Sequence, residues 1–321
     1  MTFWQPTTSL QTLRERGALL AEVREFFRQR QVLEVDTPLL CPTTATDPHL
    51  QSMEVPGVFS GTVSRHFLQT SPEFAMKRLL AAGSGSIYQI GKAFRQDERS
   101  RRHNPEFTML EWYRVGFDDR ALMDEVAELV QQVTGCAAPR RISYREVFRQ
   151  QLGLDPHTCE DRALRQAATE RIAFDPEGFS RDDLLQLLLA QVIEPGLVAP
   201  CFVYDFPASM AALARVQNDP DGVAVGKRFE LFIQGMEIAN GYHELTDPAE
   251  QRRRFEDDNR QRRSLGRPEL PIDENLLAAL AHGLPSCAGV ALGLDRLLMV
   301  RLGLGDIRDV IAFPLERSAE P

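Results

Sequence analysis

No stretch of this 321-residue sequence approaches eighteen consecutive apolar residues, and the N-terminus MTFWQPTTSLQTLRERG lacks a basic start followed by an apolar run. A cytoplasmic chain with no membrane partner is therefore expected. Cysteine is scarce. Cys41, Cys136, Cys159, Cys201 and Cys287 are odd in number and widely spaced, which excludes a disulfide framework and a C-x-x-C metal knuckle. Positive charge is outweighed: a formal net charge of -9 is the wrong sign for a protein that grips phosphates over its whole surface, so no stable nucleic-acid partner is expected. No tract is polar, repetitive or Pro/Gly-dense enough to read as disorder. A phosphate loop of the form G-x-x-x-x-G-K-S/T is also missing, because IGKAFR is not followed by a helix.

What is present alternates between helical and extended patterns. Residues 9–31 place Leu13, Leu20, Val23 and Phe27 near helical spacing, which predicts an amphipathic helix. VLEVDTPLL is a short β-prone run ended by Pro38, whose missing N–H suits a strand terminus or edge. A strand is expected over 66–72, and Ser71-Pro72-Glu73 reads as a helix start with Ser71 as its cap and Gly83 or Gly85 beyond its end. IYQIGKAFR and EFTMLEWYRVG, separated by the polar QDERSRRHNP, predict a long hairpin, since no helix-length crossover fits between them. A helix follows over 119–134, then a mostly helical insertion around 141–199. CFVYDFP resumes the strand pattern, and RFELFIQGMEIAN predicts an antiparallel pair broken at Gln234-Gly235. The charged span 248–264 reads as an exposed helix, and AGVALGLD as a Gly-rich strand before a last helix. Long antiparallel strands with helices between them predict an α+β fold, an antiparallel sheet flanked by helices.

Along the strand after Pro105, Phe107, Met109, Glu111 and Tyr113 share a face. A ring, a carboxylate and a phenol make a poor core face and a plausible ligand floor, although an edge strand with half-exposed polar groups gives the same pattern. The neighbouring Arg95, Arg102 and His103 are the donors a polyphosphate wants. Glu230 and Glu237 flank the turn at Gly235, where a hairpin brings them together despite their unequal parity. Two converging carboxylates call for a cation such as Mg2+ bridging phosphates, unless the hairpin simply lies on the surface. Asn240, Tyr242 and Glu244 follow in a polar loop that can turn at Gly241, and Glu111 with Glu244 could jointly hold an ammonium group. Gly289 and Gly293 leave room for a ligand near the backbone. Asp295 could cap the last helix, and Arg296 at that helix start is explained if an anion shares the site.

Three separated segments then match one family in order. VLEVDTPLL resembles motif 1 of class II aminoacyl-tRNA synthetases, GKAFRQDERSRRHNPEFTMLEWY resembles motif 2, and GVALGLDRLLM resembles motif 3. HNPEFTMLE and EIANGYHEL resemble the lysyl branch. The resemblance implies one class II catalytic domain over 1–321, ATP and Mg2+ as cofactors, and a homodimer built through motif 1. It implies that Arg95 holds the ATP α-phosphate, that His103 and Arg296 hold the β and γ phosphates, and that Phe107 stacks on adenine beside Arg102. Asp97 stands where the family usually has glutamate near the adenine amine, one methylene shorter. Glu230 and Glu237 would bind Mg2+. Glu111, Tyr113, Asn240, Tyr242 and Glu244 would surround the amino acid, the acidic pair at its distal amine, with Glu73 near the other amine.

The motif 1 helix starts by about residue 9, which leaves no room for the N-terminal oligonucleotide-binding barrel of ordinary lysyl synthetases, so no anticodon reading is expected. This truncated form resembles the ligases that join (R)-β-lysine to elongation factor P, which adenylate β-lysine and pass it to a lysine ε-amine of that protein substrate. Ser71 stands where synthetases usually have alanine, giving a displaced amine a hydroxyl partner. Ala291 stands where they usually have glycine, reshaping the pocket with a methyl group. One rival reading is a lysine-type enzyme that acylates tRNA or another acceptor. Another is a non-catalytic paralogue, against which the retention of Arg95, Glu230, Glu237 and Arg296 argues.

Overall fold

The computed structural model describes residues 4–57, 65–172 and 175–315. Its main elements in chain order are α1 (Leu10–Gln29), β1 (Leu33–Glu34), α2 (Glu73–Ala81), β2 (Ile87–Phe94), β3 (Glu106–Val115), α3 (Asp119–Thr134), β4 (Arg140–Ser143), α4 (Tyr144–Leu152), α5 (Asp161–Ile172), α6 (Arg181–Leu188), β5 (Cys201–Pro207), β6 (Ala224–Ile233), β7 (Met236–His243), α7 (Pro248–Ser264), α8 (Glu274–Gly283), β8 (Cys287–Gly293) and α9 (Leu294–Leu302). Helices and mainly antiparallel strands interleave, which is the expected α+β class. Among the described residues no helix is long and apolar enough to cross a membrane. The five cysteines are free thiols.

Two compact units divide the chain. In the first, Met1–Gly116 with Thr246–Pro321, the strands lie in the order β1, β2, β3, β8, parallel at β1–β2 and antiparallel elsewhere. A small separate sheet pairs Arg65–Leu68 with Leu40–Cys41 on one side and Glu54–Pro56 on the other. Period-two alternation divides the larger sheet into two faces. On the back, Tyr88 pairs with Trp112 across β2–β3, and Phe27 of α1 stacks on Tyr88 at 4.4 Å and meets the Trp112 ring at 5.4 Å. Burying such rings contributes about 1.5–3 kcal/mol each. On the front, Gln89, Glu111 and Ala291 stand in one cross-strand row, with the Ile87, Tyr113, Gly289 row beside it.

The sequence misplaces three features of this unit. Pro72, not Ser71, occupies the cap position of α2, although the Ser71 hydroxyl does accept a bond from the Glu73 N–H at 3.0 Å. Asp295 does not cap α9. It is 2% exposed, and its carboxylate accepts from Arg16 of α1 at 2.6 Å and from the Thr108 N–H of β3 at 2.6 Å, tying three elements together. Nor is α7 solvated all round: Gln251, Phe255, Asn259 and Arg262 form a buried stripe at helical spacing. Arg262 donates to the carbonyls of Pro268 and Asp47, and Asn259 exchanges two bonds with the Leu270 backbone, so these two buried side chains are held by backbone groups.

In the second unit, Phe117–Leu245, the strand order is β7, β6, β5, β4, antiparallel except for the β4–β5 pair, and Val216–Asn218 adds to the start of β6. Asp118 caps α3 by accepting from the Ala121 N–H at 2.8 Å, and Gly135 ends the helix in a left-handed conformation. Over 141–199 lie α4, α5 and α6, then a π-helical turn at Leu189–Ile193; residues 173 and 174 fall outside the described residues. Tyr144, Phe148, Leu164, Leu184, Leu185 and Leu188 bury one face of this region against Val203 and Phe206 of β5. β6 and β7 meet at Gln234-Gly235, where φ is +55° and +63°, the double positive pattern of a type I′ hairpin turn.

Candidate active site

The first unit carries a donor-rich loop. β2 ends at Phe94, and the Arg95 N–H bonds to the Pro105 carbonyl at 2.9 Å, closing the base of the loop between β2 and β3. Inside it, Ser100 and His103 form a bridge, the Ser100 hydroxyl lies 2.7 Å from His103 Nδ1, and the same hydroxyl oxygen accepts from the Arg102 N–H at 3.1 Å. From α9, Arg296 Nε donates to the Arg102 carbonyl at 3.1 Å. The structure thus gathers Arg95, Arg102, His103 and Arg296 at one place from two distant segments. Arg95 lies 5.1 Å from the centroid of the Phe107 ring, and its buried Nε has no hydrogen-bond partner among the described residues. A buried guanidinium nitrogen without an acceptor fits an arriving phosphate oxygen. Asp97 is exposed with φ +62°, a left-handed conformation that short acids tolerate, and it is Glu98 whose carboxylate comes within 3.6 Å of Arg95.

The same sheet face carries a carboxylate fixed by hydroxyls. Glu111 is 2% exposed, and its two oxygens accept from Ser71 and from Tyr113, each at 2.7 Å. The Ser71 proton is therefore committed to Glu111, so this hydroxyl orients the carboxylate, whereas the sequence suggests it as the partner of a displaced amine. Ala291 faces Glu111 across β3–β8 and puts its methyl beside that carboxylate. Glu73 pairs with Lys77 at 2.7 Å. Lys77 is buried, and its only sequence signal is the i, i+4 spacing from Glu73.

A hairpin that carries two glutamates belongs to the second unit. The two-residue turn pairs Ile233 with Met236 and Phe232 with Glu237, which puts Glu237 on the face of Glu230. A β-bulge follows, with Ile238 as the extra residue, and it brings Asn240 opposite Glu230 on that same face. Glu230 is 4% exposed, and burial, opposed by Arg228 and reinforced by Glu237, pushes its carboxyl up to about 7. Arg228 reaches Glu230 and the Met210 carbonyl, and lies over the Phe206 ring at 4.5 Å. The sequence reading missed Arg228, although its i-2 position from Glu230 on a strand placed both on one face. Two carboxylates that lack enough positive charge fit Mg2+, which usually takes one or two protein carboxylates plus phosphate oxygens.

Asn240 and Tyr242 prove to be strand residues, not loop residues. They face Glu230 and Arg228 respectively across β6–β7, and the Asn240 Oδ1 is buried with no hydrogen-bond partner among the described residues. Glu244, 1% exposed, extends the strand through a bridge to Ala214. Gly241 is no turn either: it lies mid-strand, and any side chain there would collide with the Phe229 ring.

The chain belongs to the class II tRNA synthetases (D, K and N), whose family model matches residues 4–317. Enzymes of this class typically use ATP with Mg2+. Among curated proteins the chain is similar to elongation factor P–(R)-beta-lysine ligases: it is 52% identical to that of Vibrio cholerae serotype O1 and 50% identical to that of Yersinia enterocolitica serotype O:8, over 98% of both chains in each case. The ligase of Salmonella dublin is 49% identical over 98% of both chains.

Proposed function

We propose that this chain activates (R)-β-lysine with ATP and transfers the β-lysyl group to a lysine ε-amine of elongation factor P. The observation that carries this reading is the buried Glu111 carboxylate, held by two hydroxyls beside the Ala291 methyl, an anionic floor suited to a diamino acid. In the first step the substrate carboxylate attacks the ATP α-phosphorus in line; the bond to the bridging oxygen breaks and pyrophosphate leaves. Arg95 takes the α-phosphate and offsets the charge that builds there, while His103 and Arg296 take the outer phosphates. Phe107 receives the adenine, with Asp97 and Arg102 at its edge. Glu230 and Glu237 would hold Mg2+, which neutralises phosphate charge when bound. Glu111, Tyr113, Asn240, Tyr242 and Glu244 position the amino acid, Ser71 fixes Glu111, and Glu73 serves the amine nearer the carboxylate. In the second step the neutral acceptor amine attacks the acyl carbon of the mixed anhydride, AMP leaves and an amide forms.

We place a second copy of the chain against the 33–40 segment, where Leu33, Leu39 and Leu40 are 55%, 40% and 37% exposed. The activity is tested by incubating the chain with ATP, β-lysine and either elongation factor P or bulk tRNA. A β-lysyl mass increment on one lysine of elongation factor P is the expected result, and acylated RNA with unmodified protein would overturn it. Pocket shape is tested separately. Because the Ala291 methyl flanks Glu111, Ala291→Gly is expected to raise the α-lysine to β-lysine ratio of kcat/KM by about tenfold, the worth of one methyl contact. An unchanged ratio removes Ala291 from the pocket.

A further inference from the structure

Gln89 takes no part in the machinery described so far, yet it stands in the middle of the floor. It lies on β2, 2% exposed, in register with Glu111, which is in register with Ala291. Paired side chains of adjacent strands stand about 5 Å apart at Cβ, so the Gln89 and Glu111 side chains leave the sheet side by side on one face. The amide extends along the strand over Gly91: a Cβ at that glycine would come within 3.0 Å of Gln89 Nε2. Bare backbone at position 91 is what gives the amide its place.

The Oε1 of Gln89 is buried and has no hydrogen-bond partner among the described residues. Buried amide oxygens are nearly always satisfied, and one left open on a ligand floor calls for a donor brought by the ligand. The donor can be narrowed by chemistry. Carboxylate and phosphate groups bring acceptors only, and methylenes bring nothing. An ammonium brings three N–H donors, more than one carboxylate oxygen can use. Each Glu111 oxygen accepts one hydroxyl proton, and a carboxylate oxygen carries two lone pairs. Glu111 can supply the charge, and a neutral acceptor next to it can take another N–H without adding a second negative charge to this row of the floor.

We propose that Gln89 is a substrate-specificity residue whose Oε1 accepts a hydrogen bond from the distal ammonium of the bound diamino acid beside Glu111. The proposal rests on the reading above, in which Glu111 receives that ammonium. It makes recognition two-part, charge from Glu111 and direction from Gln89, and explains why an apolar residue does not fill this buried position.

The test is ATP/pyrophosphate exchange by the full chain as wild type, Gln89→Met and Gln89→Glu. Met has the length and volume of Gln without the acceptor, and Glu restores an acceptor. Gln89→Met is expected to raise the KM for β-lysine about ten- to hundredfold, the worth of a hydrogen bond to a charged group. The kcat at saturation, the KM for ATP and the inhibition constant of 3-aminohexanoate, which lacks the distal amine, stay within about twofold. Gln89→Glu returns the KM to the wild-type value or below. An unchanged KM in Gln89→Met overturns the proposal. So does an equal loss for β-lysine and 3-aminohexanoate, because a general packing defect would weaken both; circular dichroism of Gln89→Met identifies that defect directly, and Gln89→Glu then decides through the same two constants. If α-lysine but not β-lysine supports exchange in the wild type, the substrate reading fails while the Gln89 test proceeds with α-lysine and norleucine. If neither isomer supports exchange, both fall.

Discussion

Arg95→Ala is expected to lower lysine-dependent ATP/pyrophosphate exchange by about 10²–10³-fold, the loss that follows removal of one preorganised donor from a developing anion. Stability should hardly move. In the free chain the guanidinium has a long contact of 3.6 Å with Glu98, a ring contact at 5.1 Å with Phe107, and a buried Nε with no partner among the described residues. A half-exposed pair of that kind is worth about 0–1 kcal/mol, and deleting an unsatisfied donor relieves part of that loss. The asymmetry is the diagnostic feature: a residue that does little for the fold while its nitrogen waits for an acceptor is held for a ligand. Arg95→Lys should recover only part of the rate, because an ammonium keeps the charge but loses the planar fork. Exchange kinetics and thermal melts on the same preparations check both halves. Full exchange in Arg95→Ala would remove the phosphate role, and a rate loss that tracks unfolding would make the residue structural.

Much of this arrangement was legible because local chemistry fixes it. Period-two alternation places Phe107, Met109, Glu111 and Tyr113 together without any knowledge of neighbouring strands. Gln234-Gly235 announces its hairpin because both residues must take positive φ, and the length of QDERSRRHNP leaves no room for a crossover helix. Where the reading failed, the cause was a partner far away in sequence. Asp295 looks like a cap from its position, but its acceptors serve Arg16 and Thr108, 279 and 187 residues away. The buried stripe of α7 is hidden because three of its four members are polar, and two of them, Asn259 and Arg262, are satisfied by backbone groups outside the helix. The face of Asn240 and Tyr242 could not be resolved from the turn alone, since one extra residue at Ile238 reverses the face of everything beyond it. Gly241 reads as a loop residue in the sequence, whereas cross-strand packing of Phe229 is what demands it. Ser71 was recognised as distinctive, but the direction of its hydrogen bond depends on Glu111, 40 residues later.

The paired glutamates give the second large effect, and it separates catalysis from stability in the opposite sense to a core mutation. Glu230→Gln is expected to reduce exchange by about 10²-fold or more at saturating Mg2+, because a phosphate-bridging cation loses one of two carboxylate ligands. Without Mg2+ and ATP, the same variant should be more stable than the wild type above about pH 7. The Glu230 carboxyl lies at about 7 in the folded chain against an ordinary value of 4.5. The folded state therefore binds more protons than the unfolded state between those values, and the contribution of Glu230 to stability, present in full below 4.5, is lost as pH rises through about 7. That loss amounts to as much as about 3 kcal/mol, an upper figure because the carboxyl is coupled to Arg228 and Glu237. A glutamine never ionises, so its urea midpoint should stay level over the range where the wild type falls. Arg228 is not stranded by the change, since it keeps the Met210 carbonyl at 3.0 Å, the amide oxygen of the new side chain and the Phe206 ring. Glu237→Gln should lose comparable activity while only flattening the pH slope, because it removes the neighbouring charge but leaves the buried carboxyl in place. Urea titrations at about pH 5 to 8, with and without Mg2+ and ATP, measure these differences. A level metal-free profile in the wild type would show that the hairpin holds no surplus negative charge, and the argument for a cation there would then lose its electrostatic basis.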